Sequence, residues 1–527
     1  MSSHSSSKSA TMTARATAST TAATKRCSPA FDVLFFPLAS LFTFLTLFVG
    51  NWFDSIKATG ELGGLYPNQK ACEGYRARVW ANENVGEPRQ IIGISRGQVI
   101  VLDRLNARVL LLRDVNDDGH ISNENEAGEM VVLVTKEGIN HGVAIDFEGK
   151  FLFASDPRNV YRWPIEIDDE LKMIAERPIT SECTIVIESM SEDSVDAVSG
   201  STAYGHSTRT IVISTKLDEM YIQVGSIGNV DSNPYRAGIR RVDMSRLRTT
   251  ISEPIDYRTL TYLANGVRNT VGLAIDPLNE MQMFGVDNGP DRMERNGLDV
   301  HSNNPGEEVN VFDLSKSDVF YGYPYCASEY DLGTDEAIGK KAQFMWTGPN
   351  RDFSATHSDE WCRNTTNNKP PEVVDFGHSA YLGITFFNCS SALPFSGNGT
   401  FDCEDHHGDA FVAYHGSWNR IPATGYKVTK MKMEGVGTTR KLTGEIMNVL
   451  WNEGTYAPKW PTGFRPVSTA FESIHGKLLI SSDSSGEIVI LEKVNSEEAN
   501  STSSGGTSSQ PIVTIVISVI MSSVFFT

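Results

Sequence analysis

The chain has 527 residues, of which 40% are hydrophobic and 21% charged, and this composition argues against global disorder. Its length exceeds that of one ordinary domain and predicts either several domains or one large repetitive architecture. The net charge of −19 excludes a general nucleic-acid binder, because neutralising phosphates requires a basic surface.

The first 50 residues have the features of a sorting segment. Residues 1–29 are basic, lack acidic residues and are rich in Ser, Thr and Ala, and residues 33–49 form an uncharged apolar run of 17 residues. That length is at the lower limit for a membrane-spanning helix. The basic flank before the run predicts that the bulk of the chain is exported. Residues 1–50 fit both a signal peptide and an uncleaved signal anchor, and both remain open.

A short alternating apolar strand, followed by a loop of Gly, Asp, Ser or His, recurs through residues 51–495. Short alternating strands separated by turn residues predict antiparallel sheet. Long repeats of such strands are typical of propeller blades, so the sequence predicts an all-β, six-bladed β-propeller, with a hidden seventh blade as the alternative. The six copies are 97–104, 149–156, 218–226, 279–290, 408–417 and 476–483.

The segment 114–126 resembles a calcium-binding loop. Asp114, Asn116 and Asp118 stand at its positions 1, 3 and 5, and Gly119 stands at position 6. Position 12 is Asn125 instead of the usual bidentate Glu, and flanking helices are not evident. The pattern predicts a surface Ca²⁺ loop, with a plain acidic turn as the alternative.

The gap of 129 residues between the fourth and fifth copies predicts one blade plus an insertion. It contains four of the six cysteines that follow the leader, together with three glycosylation sequons. Six cysteines in an exported protein suggest up to three disulfides among 15 pairings. Proximity favours Cys326–Cys362 and Cys389–Cys403, with Cys72–Cys183 as the remainder. The predicted glycosylation sites are Asn364, Asn388, Asn398 and, near the C-terminus, Asn500.

The C-terminus has a polar Ser/Gly linker over 496–511 and an apolar tail over 512–527. Small residues, a polar spacer and a terminal apolar tail match a GPI-attachment signal, and a C-terminal membrane helix is the alternative. With the leader, this tail predicts a membrane-tethered protein at the extracellular face of the plasma membrane or in the secretory pathway.

Polar residues accumulate in the loops at the ends of the predicted strands, and a propeller arranges such loops around a central mouth. In chain order, the loops GHSTRT, NGVRNTVGLAIDP, DNGPDR, EEVN, YGYP, AFVAYHGSWNR and RPV follow one another. This order resembles the pyrroloquinoline-quinone (PQQ) dependent sugar dehydrogenases, including glucose, sorbosone and fungal pyranose dehydrogenases, over residues 85–492. That family is a six-bladed propeller with PQQ and Ca²⁺ in its mouth, which agrees with the six copies.

The resemblance implies roles for particular residues. His206 corresponds to the catalytic base, and Arg268 and Asn269 to the pair that faces the quinone. The backbone carbonyls of Gly289 and Pro290 correspond to ligands of the Ca²⁺ ion. The remaining implied cofactor-site residues are Asn140, on the substrate side, Arg465, which would contact cofactor carboxylates, and Ser417, Trp418 and Arg420.

Two positions depart from the glucose dehydrogenases, because Ser226 replaces an Asp that supports the catalytic histidine and Asn288 replaces a Gln. The implied reaction is hydride transfer from a sugar or polyol hydroxyl to the quinone, with His206 taking the proton. An external quinone or cytochrome-type acceptor would then reoxidise the cofactor. The alternatives are a non-enzymatic surface-binding propeller resembling the hedgehog-interacting proteins and a Ca²⁺-dependent lactonase-type propeller.

Overall fold

The computed structural model describes residues 69–122, 128–191, 205–333, 335, 337–346, 353–389, 400–452 and 463–494. The leader, the linker, the apolar tail, Asn398 and Asn500 lie outside these ranges, so the predictions made for them stay predictions. Within the described ranges, no helix is both long enough and apolar enough to cross a membrane. The α-helices found there are short and span Met244–Arg248, Asp359–Arg363 and Cys403–His406, and single 3-10 turns span Ser95–Gly97, Tyr257–Thr259 and Gly437–Thr439.

Six sheets follow one another along the chain and form six blades, which confirms the predicted all-β, six-bladed propeller. From the innermost strand outward, blade 1 consists of Pro88–Gly93, Val99–Asp103, Arg108–Leu112 and Met130–Thr135. Blade 2 consists of Val143–Asp146, Phe151–Ser155, Val160–Pro164, Thr184–Glu188 and Ile255–Asp256. Blade 3 consists of Ile211–Ser214, Glu219–Val224, Gly238–Asp243, Thr261–Asn265 and Val319–Phe320.

Blade 4 consists of Thr270–Ile275, Gln282–Asp287, Glu307–Asp313 and Val373–Asp375. Blade 5 consists of Tyr381–Phe386, Ala410–Tyr414, Lys427–Glu434, Lys441–Asn452 and, at its outer edge, Gln69–Ala71. Blade 6 consists of Pro466–Phe471, Leu478–Ser482, Glu487–Lys493 and Tyr75–Ala81. Small hairpins pair Ile167–Asp168 with Met173–Ile174, Glu294–Arg295 with Leu298–Asp299, and Cys326–Ser328 with Gln343–Met345.

The recurring strand of the sequence is the second strand of every blade. It is buried on both faces, as in Val99–Asp103 and Leu478–Ser482, because neighbouring blades pack against it from either side. Between blades 3 and 4, for example, Tyr221 and Ile239 share a core with Met283 and Phe312. Burying such surfaces stabilises the fold by roughly 25 cal/mol per Å² of apolar area.

A strand near the start of the described chain completes the last blade. Tyr75–Ala81 pairs antiparallel with Glu487–Lys493, with Tyr75 opposite Lys493 and Val79 opposite Val489. This pairing closes the propeller, so that no blade sheet is left without its outer strand.

The six inner strands surround a central channel of roughly 690 Å³. Its wall is mostly aliphatic, with residues such as Ile92, Ile145, Leu273 and Ile384, and no predicted site residue lines it. The chemistry predicted above therefore belongs to the loops at one end of the channel.

The insertion predicted between the fourth and fifth copies of the recurring strand lies between the last two strands of blade 4. Its hairpin and the helix Asp359–Arg363 are joined by the Cys326–Cys362 disulfide. The Cys389–Cys403 disulfide lies in the connection between the first and second strands of blade 5. Both pairings were predicted. The predicted Cys72–Cys183 pair is wrong, because both thiols are free. Cys72 packs against the core of blades 5 and 6, whereas Cys183 packs against that of blades 1 and 2.

Candidate active site

Hydrogen bonds between loops join all six blades around the mouth of the propeller. The loops before the inner strands and those after the second strands meet here, because each inner strand is antiparallel to its neighbour. The structure thus brings together predicted residues from distant parts of the chain. The contacts between neighbouring blades are Arg89–His141, Asn140–Ser207, Ser226–Arg268, Asn288–Tyr381, Arg465–His415 and Asp483–Arg89.

His206 lies in the loop before the inner strand of blade 3 and is anchored to Ser226. The His206 ring Nδ1 is 2.8 Å from the Ser226 carbonyl oxygen and 2.9 Å from its Oγ. The backbone N–H of His206 also donates to the Ser226 carbonyl, at 3.1 Å. Burial, assisted by the positive charge of Arg268, lowers the pKa of His206 to about 3. The imidazole is therefore neutral at physiological pH and can accept a proton.

Two glycines allow His206 to approach its neighbours. Gly205 has a φ of +54°, and a Cβ there would meet the carbonyl oxygen of Ile227 at 2.1 Å. A Cβ on Gly225 would lie 2.8 Å from both the His206 Cβ and the Asn269 Oδ1. Only glycine at 225 therefore leaves room for His206 and Asn269 to converge.

Arg268 braces the loop that carries the predicted calcium ligands. Its Nη1 donates to the carbonyl oxygens of Asn288, at 3.2 Å, and Gly289, at 2.9 Å. Its Nε and Nη2 donate to the backbone and side-chain oxygens of Asn229, and Asp291 lies 3.5 Å from Nη2. The hydrogen bonds of Arg268 thus hold the Asn288–Pro290 loop in place.

Buried carboxylates support the same loop from behind. Glu307 accepts the N–H groups of Gly289 and Ala380, and Asp287 accepts those of Arg268 and Asn269. Burial raises the pKa of Asp287 and raises that of Glu307 to about 7. A cation near the Gly289 and Pro290 carbonyls would stabilise the charged form of both groups.

Two predicted amides have buried oxygens with no hydrogen-bond partner among the described residues, namely Asn140 Oδ1 and Asn269 Oδ1. The Asn140 Nδ2 donates to the Ser207 carbonyl next to His206, at 3.1 Å. Buried polar atoms are nearly always hydrogen-bonded in folded proteins. These two oxygens are therefore available to accept hydrogen bonds from water or from a polar ligand.

Arg465 precedes the inner strand of blade 6 and donates to the carbonyls of His415 and Gly416, at 3.0 and 2.5 Å. Its guanidinium lies 5.4 Å from the centre of the Tyr426 ring. These contacts place a fixed positive charge beside the mouth.

A buried network of four residues was missed in the sequence. Arg89 forms an ion pair with Asp483 and donates to Nδ1 of His141, and Asp483 lies 2.9 Å from Nε2 of His415. Arg89 is the second residue of its inner strand, and Arg209, Arg268 and Arg465 stand one or two residues before theirs. An arginine at or just before the start of four inner strands was the sequence signal that could have revealed this network.

Replacing Asp483 with asparagine should lower the free energy of unfolding by about 3–5 kcal/mol, because the buried Arg89 guanidinium loses its counter-charge. The Arg89 charge and two hydrogen bonds hold the pKa of Asp483 below its usual value, although burial opposes this. The stabilisation is therefore present at neutral pH and lost as the pH falls below about 4. Urea denaturation would measure it. Asp169→Asn, at the exposed Lys150–Asp169 pair, is the matched control and should change stability little.

The HGSWNR loop is held by contacts of its own. Ser417 is buried and bonded to Thr424 and Tyr426, whereas Trp418 is 76% exposed. Arg420 donates to Ser302 and Asn303 in the neighbouring loop of blade 4. The cofactor contacts assigned to Ser417, Trp418 and Arg420 remain predictions.

The loop at 114–122 has the turn geometry of a calcium-binding loop. Asp114 accepts the N–H of Gly119 at 2.7 Å, and Asn116 accepts that of Asp118 at 2.9 Å. The same bonds form an ordinary acidic turn, so Ca²⁺ binding by Asp114, Asn116 and Asp118 stays a prediction. Asn364 is exposed at the end of its helix, which suits glycosylation, and Asn388 is partly exposed.

The TrAA12-like family model matches residues 69–494. A Hypocrea jecorina (strain QM6a) protein named pyrroloquinoline quinone-dependent sugar dehydrogenase is 28% identical over 474 residues, covering 86% of this chain and 96% of that protein. A Coprinopsis cinerea pyrroloquinoline quinone-dependent pyranose dehydrogenase is 27% identical over 434 residues and 77% of this chain. The match covers 52% of that protein, so this chain spans about half of its length.

Solved structures of related proteins match the fold of this chain. A calcium structure of Trichoderma reesei carbohydrate-active enzyme family AA12 is 26% identical, with a TM-score of 0.63, and covers 82% of this chain and 99% of that one. The holo form of the PQQ domain of the Coprinopsis cinerea pyranose dehydrogenase also has a TM-score of 0.63. It is 24% identical, covers 81% of this chain and 97% of that one, and supports the fold. The chain belongs to the TrAA12-like family, and the predicted resemblance to the PQQ-dependent sugar dehydrogenases is confirmed.

Proposed function

We propose that this protein is a PQQ- and Ca²⁺-dependent oxidoreductase that oxidises a hydroxyl group of a sugar or polyol. The observation that carries the proposal is the placement, in one mouth, of a neutral His206 beside the Arg268-braced loop of Gly289 and Pro290. The names of the related proteins support the cofactor and the substrate class.

The residues of the mouth fit both groups. PQQ carries three carboxylates, and arginine guanidinium groups suit carboxylate recognition. The orphaned oxygens of Asn140 and Asn269 can accept hydrogen bonds from a polar ligand. Backbone carbonyls are typical Ca²⁺ ligands, and a bound Ca²⁺ would favour the charged forms of Asp287 and Glu307 behind them. When bound, PQQ would supply the two-electron acceptor and Ca²⁺ the Lewis acid.

The protein would contribute position and proton transfer. His206 accepts the proton of the substrate hydroxyl, a role that suits a neutral imidazole. Arg268 holds the carbonyls of Asn288 and Gly289 in place, and Arg465 supplies positive charge across the mouth. Asn140, bonded to the residue after His206, lies where it can orient a sugar hydroxyl. An external quinone or cytochrome-type acceptor would then remove the electrons.

Titration of the purified full-length protein with PQQ and Ca²⁺ tests the proposal. We expect a quinone absorbance spectrum that co-purifies with the protein and is lost on treatment with a chelator. We further expect aldose- or polyol-dependent reduction of an artificial dye. A protein that shows no bound quinone would end the proposal. Lactone hydrolysis by a metal-loaded, quinone-free protein would favour the lactonase-type alternative instead.

We also propose that the protein is exported, glycosylated and tethered to the membrane by its terminal segments. Two disulfides in the described part of the chain suit an oxidising compartment. A surface location would make the mouth accessible to extracellular sugars. Release of the protein from intact cells by a phosphatidylinositol-specific phospholipase would support the GPI anchor, whereas retention would favour a membrane helix.

A further inference from the structure

Ser226 occupies the position at which the resemblance predicts a carboxylate behind the catalytic histidine. It is fully buried just after the second strand of blade 3. Its N–H donates to the Arg268 carbonyl at 2.9 Å, and its carbonyl accepts from the backbone of His206. Ser226 thus connects the two residues on which the proposed chemistry depends.

The contacts of Ser226 determine which ring nitrogen of His206 carries the proton. A carbonyl oxygen can only accept, so the 2.8 Å contact from Nδ1 to the Ser226 carbonyl requires a proton on Nδ1. The Ser226 Oγ is 2.7 Å from the Gly228 carbonyl and must donate its hydroxyl proton there. It can therefore only accept from Nδ1, 2.9 Å away. Both contacts select the same tautomer, in which Nε2 carries the free lone pair.

The charged groups that face His206 come from several loops. Arg268 and Arg209 disfavour a positive charge on the ring, and Asp291 favours one. Asp291 is itself held by Arg268, His378 and Asn419. The Tyr323 hydroxyl lies near Ser226 and is neutral at physiological pH, because burial raises its pKa to about 12. No carboxylate among the described residues forms a hydrogen bond with His206.

We infer that Ser226, in place of a carboxylate, is the positioning residue that fixes His206 as the Nδ1–H tautomer and leaves Nε2 free to take the substrate proton. This inference rests on the proposed function for its catalytic meaning. A carboxylate in the same place would stabilise the imidazolium and keep the histidine protonated to higher pH. A serine holds the ring equally well and adds no charge. The base should therefore remain available in mildly acidic surroundings.

Nitrogen NMR of the full-length protein, labelled with ¹⁵N-histidine and prepared without cofactor, tests the tautomer directly. His206→Gln identifies the resonances of His206 by their loss. We expect the Nδ1–H pattern and a titration midpoint well below about 6.5, the ordinary value of a histidine side chain. An Nε2–H pattern, or a midpoint at the ordinary histidine value, would overturn the inference. Because no cofactor is needed, this result is independent of whether the protein oxidises sugars.

Ser226→Asp tests whether the absence of a charge at position 226 keeps His206 unprotonated. The midpoint of His206 should rise by about 1–3 pH units, as for a histidine facing a new carboxylate. In the PQQ-loaded enzyme, the acidic limb of kcat/KM should move upward by a similar amount. An unchanged midpoint in folded Ser226→Asp protein would contradict the inference. Ser245→Asp, on the exposed face of the helix Met244–Arg248, adds the same charge to the same blade and should shift neither quantity.

Ser226→Ala covers the case in which the aspartate variant does not fold. The backbone carbonyl keeps the tautomer, but the ring loses one of its two acceptors. We expect kcat to fall by about 3- to 10-fold with KM unchanged, and Ser226→Thr, which restores a hydroxyl, to recover most of it. An equal loss of activity in the alanine and threonine variants would indicate a packing role only and would overturn the assignment.

Discussion

Replacing His206 with asparagine should lower kcat by about 10²- to 10⁴-fold and leave PQQ binding close to that of the unmodified protein. Asparagine can still donate to the Ser226 carbonyl, so the loop should keep its shape, but it has no basic lone pair at the position of Nε2. Steady-state dye reduction measures the first quantity and the absorbance of bound quinone the second.

The exposed His407 provides the matched control for this variant. His407→Asn should retain full turnover, because its ring contacts the backbone near the Cys389–Cys403 disulfide and not the mouth. Turnover of His206→Asn within tenfold of the unmodified enzyme would refute the assignment of His206 as the base. Loss of bound quinone in that variant would instead make His206 a binding residue.

Replacing Arg268 with alanine should weaken the binding of Ca²⁺ and PQQ and lower kcat/KM by about 10²- to 10³-fold. The change removes the donors to Asn288, Gly289 and Asn229 and leaves their carbonyls unsatisfied in a buried loop. The carbonyls of Gly289 and Pro290 would then lose their fixed orientation. Isothermal titration with Ca²⁺ in the presence of PQQ measures the loss of affinity.

Arg268→Lys separates charge from geometry, because lysine keeps the charge but cannot make the forked contacts to Asn229 and Gly289 together. We expect its affinity to be nearer that of the alanine variant than that of the unmodified protein. Arg292→Ala changes an exposed arginine of the same loop and should bind normally. Ca²⁺ affinity of Arg268→Ala within threefold of the unmodified protein would show that the loop does not depend on Arg268.

The sequence was sufficient to predict the number of blades. The second strand of a blade is buried on both faces, so it reads as a short apolar run between turns, and six such runs were visible. The inner and outer strands were less distinct, since half of their residues face the channel or solvent. The pairing of Tyr75–Ala81 with Glu487–Lys493 had no local signal at all, because it joins segments more than 400 residues apart.

The candidate site was likewise predictable from the sequence only in part. His206, Arg268, Asn269 and Gly289 stood in recognisable motifs, and the structure brings them together. The contact of Arg268 with the Gly289 carbonyl and the support from Glu307 depend on tertiary geometry that a motif does not contain. The prediction of a Cys72–Cys183 disulfide was wrong for a related reason. It was obtained by elimination, and elimination carries no information about which cores the two thiols enter.

The closure of blade 6 has a consequence for the synthesis of the protein. Tyr75–Ala81 leaves the ribosome before blades 1 to 4, and its partner Glu487–Lys493 leaves after them. Through nearly the whole of translation, Tyr75–Ala81 lacks the strand with which it pairs, and unpaired strands invite association with other chains. The propeller therefore closes only after its last strand has been synthesised. Chaperones that shield unfinished chains suit a molecule built in this order.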